Sequence, residues 1–148
     1  MIDRLQEKDI DQVAQIEAEI FSVPWSIKSF KDALASEQNI YLKAETDGQI
    51  VGYCGIWTSF ESADLCNIAV KKEFRKAGLG QKLLEAGIQE AAAKGVERIL
   101  LEVRQSNKAA IRLYEKNGFQ TIGLRKSYYT KPVEDAILME RFTRKMAE

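Results

Sequence analysis

Hydrophobic residues in the first 35 positions recur three or four residues apart, in two runs that a proline separates. Side chains with this spacing share one face of a helix. The pattern predicts a first helix that begins at Asp9, with Gln12 as its capping-box partner, and ends near Phe21. A second short helix is predicted after the proline, with Ser26 as its N-cap.

Runs rich in β-branched and aromatic residues dominate the middle of the chain. The segment NIYLKAETDGQIVGYCGIWTSF holds two such runs on either side of Asp47 and Gly48, a pair favoured in tight turns, and therefore predicts a hairpin. The next segment, SADLCNIAV, predicts a strand that ends near Val70. A further short strand is predicted at the start of the chain, from Ile2 to Leu5.

Helices and strands alternate in the second half of the chain. A helical apolar face begins at Leu79, and Gly95 is suited to the left-handed position that ends this helix. ERILLEV then predicts a buried strand, and Asn107 caps a helix that Gly118 ends. The segments FQTIGLRKSYY and EDAILMERF predict two closing strands. The predicted order is β-α-α-β-β-β-α-β-α-β-β, an α/β fold class with a mixed sheet and helices on both faces.

The composition is that of a globular domain without a strong net charge. The chain has 148 residues, 45% hydrophobic and 30% charged, so a single domain over residues 1–148 is expected. Its 22 Lys and Arg residues balance 22 Asp and Glu residues, so no global field draws it to nucleic acid or to an anionic membrane. The charged start, together with the lack of a membrane-length apolar run, predicts a cytoplasmic protein without a signal peptide.

The chain has no histidine and two cysteines, and both facts restrict its chemistry. Cys54 and Cys66 each lie in an apolar, strand-like run, so both are predicted to be buried, reduced thiols. Two thiols without histidine make a poor zinc site, so no metal is expected. Without histidine, acid–base chemistry must rely on carboxylates, tyrosine, lysine, cysteine, water or the substrate.

A glycine-containing loop joins a predicted strand to a predicted helix. It reads RKAGLG, from Arg75 to Gly80. A helix N-terminus leaves N–H groups without partners and carries partial positive charge, and glycine lets an anion approach the backbone. The strand before the loop, its basic residues and the helix after it favour a pyrophosphate site over a simple turn. A Walker A loop and a dinucleotide fingerprint fit less well, because Gln81 and Leu83 stand where those motifs need Lys and Gly.

The loop and the element order resemble those of one enzyme family. RKAGLG is similar to the Arg/Gln-x-x-Gly-x-Gly/Ala motif of the Gcn5-related N-acetyltransferases (GNAT), and the element order is that of this family over essentially the whole chain. The resemblance implies a GNAT fold, with a central mixed, mostly antiparallel sheet of six to seven strands and about four helices on both faces. It also implies acetyl-coenzyme A (acetyl-CoA) as co-substrate.

The same resemblance implies where the coenzyme binds. Its pyrophosphate is expected on the backbone amides of the loop, and its pantetheine arm is expected to pair with the preceding strand as an added strand does. The implied coenzyme-binding residues are Ile68, Ala69, Val70, Arg75, Lys76, Ala77, Gly78, Leu79, Gly80, Gln81 and Asn107.

Further segments resemble one branch of the family, the ribosomal-protein-alanine N-acetyltransferases (RimI type). They read CNIAV, LEVRQSNKAAIRLYEKNGF and YYTKPVEDAILM, and VPWS around Trp25 also fits. Thr130 departs from the pattern, because a proline often follows the tyrosine pair there. The resemblance implies acetylation of the N-terminal alanine of a small-subunit ribosomal protein, number eighteen, or of another peptide that begins with Ala or Ser.

Glu102 is the candidate general base. It lies in ILLEV, where strand alternation places it opposite Leu101 and Val103. A carboxylate in such a strand is expected to be desolvated, which favours its protonated form and suits a base that works near neutral pH. The alternative is a glutamate at the rim of the sheet, paired with Arg104, Arg125 or another basic residue. The base could also act through a water molecule.

Two further catalytic groups follow from the resemblance. It implies that the hydroxyl of Tyr114 protonates the leaving thiolate, whereas helix periodicity alone fits a core aromatic residue whose hydroxyl finds a surface partner. It also implies that the N–H of Val70 donates a hydrogen bond to the acyl oxygen during the reaction.

The site for the acetyl acceptor is predicted from fewer residues. Trp25, Tyr128 and Tyr129 are candidates to line a groove for a peptide N-terminus, and each is also compatible with a core position. Glu134 and Asp135 either attract a basic substrate or hold a strand end, and the second reading is favoured.

Three other functions remain open from the sequence. The first is an acetyltransferase of the same fold that acts on a small amine or a lysine side chain. The second is a non-catalytic acyl-CoA sensor, against which the presence of both Glu102 and Tyr114 argues. The third is a nucleic-acid-binding module at the ribosome, which the balanced charge and the lack of an aromatic and basic ladder disfavour.

Overall fold

The computed structural model describes residues 1–144, which form seven strands, four α-helices and two short 3-10 helices. The 3-10 helices are Glu7–Asp9 and Lys72–Phe74. The main elements are β1 (Ile2–Arg4), α1 (Ile10–Ile20), α2 (Ile27–Ala35), β2 (Ile40–Thr46), β3 (Gln49–Ser59), β4 (Ser62–Val70), α3 (Leu79–Ala93), β5 (Arg98–Arg104), α4 (Lys108–Lys116), β6 (Gln120–Tyr129) and β7 (Glu134–Phe142). The element order predicted from the hydrophobic pattern is confirmed.

The strands form one sheet in the order β1-β2-β3-β4-β5-β7-β6. All neighbouring pairs are antiparallel except β4 and β5, which run parallel. The crossover between these two parallel strands is α3, as expected for a βαβ unit. The predicted mixed, mostly antiparallel sheet with helices on both faces is therefore confirmed.

Two hydrophobic clusters lie on opposite faces of the sheet. Inward residues of α3 and α4, including Leu83, Leu84 and Tyr114, pack with alternate residues of the central strands on one face. The other cluster contains Val13 of α1 and Phe30 of α2. Because successive strand residues point to opposite faces, neighbouring residues of one strand are divided between the two clusters.

Most of the predicted local signals act as expected. Ser26 Oγ accepts a hydrogen bond from the N–H of Ser29 at 3.1 Å and caps α2. Asp47 and Gly48 both adopt left-handed φ angles, of 52° and 76°, in the tight turn between β2 and β3. Gly95 follows α3 with a φ of 90°, which glycine adopts without steric cost.

The predicted capping box of α1 is wrong. Asp9 ends the preceding 3-10 helix, and its carboxylate accepts hydrogen bonds from the N–H of Gln6 at 2.8 Å and from Lys43 Nζ at 2.9 Å. Gln12 instead accepts from the N–H of Ile50 at 3.3 Å. A buried lysine of the neighbouring sheet competes for the Asp9 carboxylate, because an unpaired buried charge would be costly.

A β-bulge in β4 separates this strand from β5. Asn67 pairs with Gly55 and Leu65 with Ile56, so Cys66 is the extra residue. β4 pairs with β5 only from Ser62↔Arg98 to Asp64↔Leu100. Beyond those pairs the two parallel strands diverge and leave a gap, called here the cleft, between residues 65–70 of β4 and residues 101–104 of β5.

The prediction for the cysteines is correct for one of them. Both thiols are free, and Cys54 is buried as expected. Cys66 is exposed, because it lies at the bulge, on a face of β4 that the helices do not cover at this point.

No helix within residues 1–144 combines the length and the apolar character that crossing a membrane requires. Within the same residues, no group of three or more His, Cys, Asp or Glu side chains is placed to hold a metal ion.

Candidate active site

The backbone of β4 presents unpaired polar groups to the cleft. The N–H of Lys71 bonds to the carbonyl of Val51 at 2.7 Å, which continues the ladder between β3 and β4. Because backbone groups alternate in direction along an antiparallel ladder, the N–H groups of Ile68 and Val70 point away from β3 and towards the cleft. An extended chain that carries amide groups can therefore pair with this edge of β4.

The loop after β4 presents a second set of free donors. The six consecutive backbone N–H groups of residues 76–81 make no hydrogen bond within residues 1–144, and the first bond of α3 is from the N–H of Lys82 to the carbonyl of Gly78 at 3.1 Å. Gly78 is the N-cap of α3, with a φ of 76°, and no side chain caps this helix. The N–H groups and the positive end of the helix dipole therefore face the same space, called here the anion cradle.

The space around the two loop glycines is open. A Cβ atom added to Gly78 would meet no atom within 4 Å, and one added to Gly80 would meet only Leu113 at 3.5 Å and Val70 at 4.0 Å. Packing within the protein therefore does not require these glycines, and the space beside both of them is open. The Nε of Arg75 donates to the carbonyl of Val70 at 2.9 Å, which ties the loop to the end of β4.

Glu102 lies on β5 beside the cleft, on the face opposite Leu101 and Val103, as predicted. The expected desolvation is not observed, because its side chain is 36% exposed and its Oε2 lies 3.6 Å from Arg125 Nη1. The alternative interpretation, a rim glutamate paired with a basic residue, describes its environment. Asp64 faces the same region, and burial together with the Glu102 charge raises the pKa of its carboxyl.

Tyr114 lies on α4, on the other face of the sheet from Glu102. Its ring is buried in the α3 and α4 cluster, 5.8 Å from the ring of Phe119. Burial, with smaller contributions from Cys54 and Tyr129, raises the pKa of its hydroxyl, which therefore stays protonated at neutral pH.

The Tyr114 hydroxyl is available to a ligand. It has no hydrogen-bond partner within residues 1–144, and the only fully buried side-chain N or O atom without a partner in these residues is Glu90 Oε2. The hydroxyl oxygen is therefore not completely sealed in the core, although the residue as a whole is only 6% exposed. The surface partner expected for a purely structural tyrosine is not observed.

Asn107 begins α4 as predicted. Its Oδ1 accepts a hydrogen bond from the N–H of Ala110 at 3.2 Å, which satisfies one free donor of the helix. The cap places the start of α4 at the end of β5, so the helix that carries Tyr114 begins beside the strand that carries Glu102.

The structure divides the three candidate acceptor residues into two groups. Tyr128 and Tyr129 lie at the end of β6 with their rings 5.0 Å apart, and burial and the nearby Glu102 carboxylate raise the pKa of both. Trp25 packs at the edge of the α1 and α2 cluster, 5.3 Å from Phe30 and 5.9 Å from Trp57. The tyrosine pair is thus beside Glu102, whereas Trp25 also has a packing role.

Glu134 and Asp135 hold a strand end, as the favoured interpretation stated. Glu134 accepts a hydrogen bond from the N–H of Ser106, and this bond together with Arg104 holds the pKa of its carboxyl below its usual range. Asp135 Oδ1 accepts from the N–H of Ser127 at 2.8 Å.

Arg104 is a residue of this region whose role sequence reasoning missed. It donates to the carbonyl of Thr130 at 2.8 Å and to that of Pro132 at 3.0 Å, and its guanidinium lies 4.5 Å from the centre of the Tyr129 ring. It therefore organises the β6–β7 connection, while Arg125 pairs with Glu102. The sequence did hold a signal for a role in this region: Arg104 is two residues after Glu102, so both side chains lie on one face of the strand.

Glu17 is a second residue that sequence reasoning missed. Its buried carboxylate accepts hydrogen bonds from the Tyr53 hydroxyl and from the N–H of Trp25, the latter at 3.0 Å. It thereby holds the connection between α1 and α2. A charged residue between the apolar residues of α1 was the signal for such a role.

Comparisons with known proteins identify the family. The profile of the acetyltransferase (GNAT) family matches residues 10–119. A Bacillus subtilis (strain 168) protein, provisionally named a ribosomal protein bS18-alanine N-acetyltransferase, is 44% identical over 133 residues, 89% of this chain and 88% of that protein. A Salmonella typhimurium (strain LT2) protein named ribosomal protein bS18-alanine N-acetyltransferase is 39% identical over 137 residues, 91% of this chain and 92% of that protein.

A solved structure supports the same relationship. The crystal structure of the ribosomal-protein-S18-alanine N-acetyltransferase from Escherichia coli has a TM-score of 0.90 with this chain at 35% identity, and covers 100% of this chain and 96% of that one. The family profile covers most of the chain, and the RKAGLG segment that resembles the family's loop motif lies within the matched residues. This chain therefore belongs to the acetyltransferase (GNAT) family.

Proposed function

We propose that this chain transfers the acetyl group of acetyl-CoA to the α-amine of an N-terminal alanine, on the small-subunit ribosomal protein bS18. We choose this acceptor because the chain is similar, over about nine-tenths of its length, to proteins named for this reaction. Other peptides that begin with Ala or Ser are included in the proposal, because the two side chains are close in size.

The anion cradle and the edge of β4 are the proposed donor site. Members of the GNAT family use acetyl-CoA, which supplies an acetyl thioester when bound. The free N–H groups of residues 76–81 provide the donors that a pyrophosphate needs, and Arg75 and Lys76 add positive charge. Ile68, Ala69 and Val70 provide the strand edge for the pantetheine arm, and Asn107 is proposed to contact the coenzyme as well as capping α4.

Glu102 and Tyr114 are the proposed acid–base groups, one on each face of the sheet beside the cleft. An N-terminal α-amine has a pKa of about 8, so a modest base is sufficient to remove its proton near neutral pH. The exposed Glu102 carboxylate is proposed to take that proton, directly or through a water molecule. The protonated Tyr114 hydroxyl is proposed to donate a proton to the leaving thiolate, and the Val70 N–H to stabilise charge on the acyl oxygen.

The acceptor is proposed to approach on the Glu102 side of the sheet. Tyr128 and Tyr129 lie next to Glu102 there, and Arg125 contacts both the Glu102 carboxylate and the Tyr128 ring. A peptide α-ammonium carries the same charge as this guanidinium and is expected to compete with it for the carboxylate. Trp25 is the proposed second wall of the acceptor groove.

Mass spectrometry on two peptides tests the proposal. The chain is incubated with acetyl-CoA and one peptide that begins with alanine, or one that has a blocked terminus and an internal lysine. Acetate on the α-amine only is the expected result. Acetate on the lysine, or on neither peptide although coenzyme A binds, would contradict the proposed acceptor and favour the lysine, small-amine or sensor function.

A further inference from the structure

Two side-chain amides form a reciprocal pair between α3 and the end of α4. Gln81 Nε2 donates to Asn117 Oδ1 at 2.8 Å, and Asn117 Nδ2 donates back to Gln81 Oε1 at 2.8 Å. Gln81 is the third residue of α3, and Asn117 is the C-cap of α4. Two parallel amide bonds fix both the distance and the relative orientation of the two helix ends.

The surrounding hydrogen bonds satisfy the remaining groups of the pair. Asn117 Nδ2 also donates to the carbonyl of Leu113 at 2.8 Å, and Arg141 Nη1 donates to the Asn117 carbonyl at 2.7 Å. Gln81 Nε2 also donates to Glu85 Oε1 at 2.5 Å. Asn117 is only 9% exposed, and a buried polar network in which every group has a partner is rigid.

The pair joins two parts of the molecule that the sheet connects weakly. Gln81 belongs to the anion cradle at the end of β4, and Asn117 follows Tyr114 by three residues on the other side of the cleft. The two strands that flank the cleft pair at only three positions, from Ser62↔Arg98 to Asp64↔Leu100. All of those positions lie at the far end of β4 from the cradle.

We propose that the Gln81–Asn117 pair sets the distance between the anion cradle and the Tyr114 hydroxyl, so that one coenzyme A molecule reaches both. The inference rests on the proposed donor site and is independent of the acceptor. Gln81 then has two roles: its backbone N–H faces the anion, while its side chain is committed to Asn117 and Glu85. Both amides are positioning residues, and neither side chain contacts the coenzyme.

Binding of two ligands tests the inference without any acceptor. Coenzyme A spans both places, whereas 3′-phosphoadenosine 5′-diphosphate keeps the pyrophosphate and lacks the pantetheine arm. In Asn117→Ala, coenzyme A affinity is expected to fall about tenfold, because the two parts of its site are no longer held in register. The affinity for the truncated ligand is expected to stay within about twofold, because the cradle N–H groups are unchanged. Calorimetric titration measures both constants.

Three variants complete the experiment. Gln81→Leu breaks the pair from the other side and is expected to match Asn117→Ala, which keeps the test usable if one variant fails to fold. The exchange variant Gln81→Asn with Asn117→Gln restores an amide pair of the same total length, and should recover coenzyme A affinity. Glu85→Ala removes a hydrogen bond from the same Gln81 amide but leaves the Gln81–Asn117 pair intact. This variant should bind both ligands as the unmodified chain does.

The outcomes separate this inference from the proposed acceptor. Equal loss of both ligands, no loss of either, or an exchange variant that binds no better than the single variants would overturn it. Such results would mean that the pair shapes the cradle alone or only stabilises the fold. A chain that binds coenzyme A as expected but acetylates no alanine peptide would contradict the proposed function and leave this inference standing.

Discussion

At the residue scale, the environment of Glu102 is set by which side chains share its face of the sheet. Strand alternation directs the carboxylate away from the buried Leu101 and Val103. It therefore meets Arg125 of the edge strand β6, across β7, and remains in contact with solvent. This exposed position leaves the Glu102 carboxylate accessible to an incoming amine, as the proposed role of general base requires.

Replacement of this carboxylate tests the assignment of the base. Glu102→Gln keeps the shape and removes the proton acceptor, so kcat is expected to fall by roughly 100-fold, the scale of a general base. The affinity for acetyl-CoA is expected to stay within about twofold, because Glu102 lies outside the anion cradle. Steady-state kinetics and calorimetric binding of the coenzyme measure the two quantities.

Asp64→Asn is the matched control for the base. Asp64 is a second carboxylate that faces the same region, and the variant removes its charge without removing Glu102. Its kcat is expected to remain within about threefold of the unmodified chain, since a screened charge near the surface contributes little. Unchanged turnover of Glu102→Gln across pH would refute the base assignment, and equal losses in both variants would indicate a general effect of negative charge.

At the element scale, the start of α3 combines free donors with a backbone that only glycine adopts easily. Gly78 ends the loop in a left-handed conformation, which turns the preceding N–H groups towards the positive end of the helix. The helix is long and is anchored by buried residues of its own, such as Leu83 and Leu84, so its packing fixes the position of its first N–H groups. The element, rather than any single side chain, is the proposed binding group.

A negative charge placed in the cradle should abolish its function. Gly78→Asp introduces a carboxylate where the anion is proposed to lie, and coenzyme A binding is expected to fall below detection in calorimetry. The added Cβ atom meets no protein atom within 4 Å, so the fold should survive. The left-handed backbone adds a strain of about 1 kcal/mol for a residue with a Cβ atom.

Gly48→Asp is the control for that strain. Gly48 has the same φ of 76° and the same open space, but lies in the turn between β2 and β3. It should lower the thermal midpoint as Gly78→Asp does, while leaving coenzyme A binding intact. Normal coenzyme A binding by Gly78→Asp would show that the loop is not the anion site.

At the scale of the whole molecule, the two helical layers bury an unusual set of ionisable hydroxyls. Tyr41, Tyr53 and Tyr114 are each at most 6% exposed, and burial raises the pKa of all three hydroxyls. Tyr53 donates to the buried Glu17, and Tyr41 donates to Asn67 beside the bulge at 3.1 Å. These hydroxyls therefore carry protons that the folded chain retains more strongly than the unfolded chain does.

This retention predicts how stability depends on alkaline pH. A tyrosine pKa that is higher in the folded chain than in the unfolded chain stabilises the fold. This contribution has its full value below the ordinary tyrosine pKa of about 10 and is lost as pH rises above it. These three hydroxyls are expected to lower the free energy of unfolding by about 4 kcal/mol per pH unit above pH 10. The Cys54 thiol and the Tyr129 hydroxyl, whose pKa values are both raised to about 12, add to that slope. Urea unfolding at a series of pH values measures this slope.

Phenolate absorbance checks the same prediction independently. Tyr128 is exposed, whereas burial and nearby Glu102 raise the pKa of Tyr129 to about 12. The three buried tyrosines are expected to ionise only when the chain unfolds. Ionisation of all five near pH 10, with native circular dichroism retained, would contradict the burial of these hydroxyls.

Much of the fold and of the donor site was determined by the sequence alone. The spacing of apolar residues predicted every strand and α-helix in order, because periods of 3.6 and 2 are local properties of the two regular structures. The glycines and the free N–H groups of residues 76–81 were predictable for the same reason, since a strand, a loop and a helix that follow one another along the chain must place them together. The face on which Glu102 lies also followed from its position in the strand.

Only the tertiary structure decided which distant side chains meet. Arg125 rather than Arg104 pairs with Glu102, because β7 inserts between β5 and β6 in the sheet. The bulge at Cys66 opens the cleft, and Gln81 meets Asn117 across it. Each of these contacts depends on strand order, register or helix packing between residues far apart in sequence. The spacing of apolar residues along the chain specifies which face of a helix or strand is buried. Which side chains that face contacts is decided only when the elements pack together.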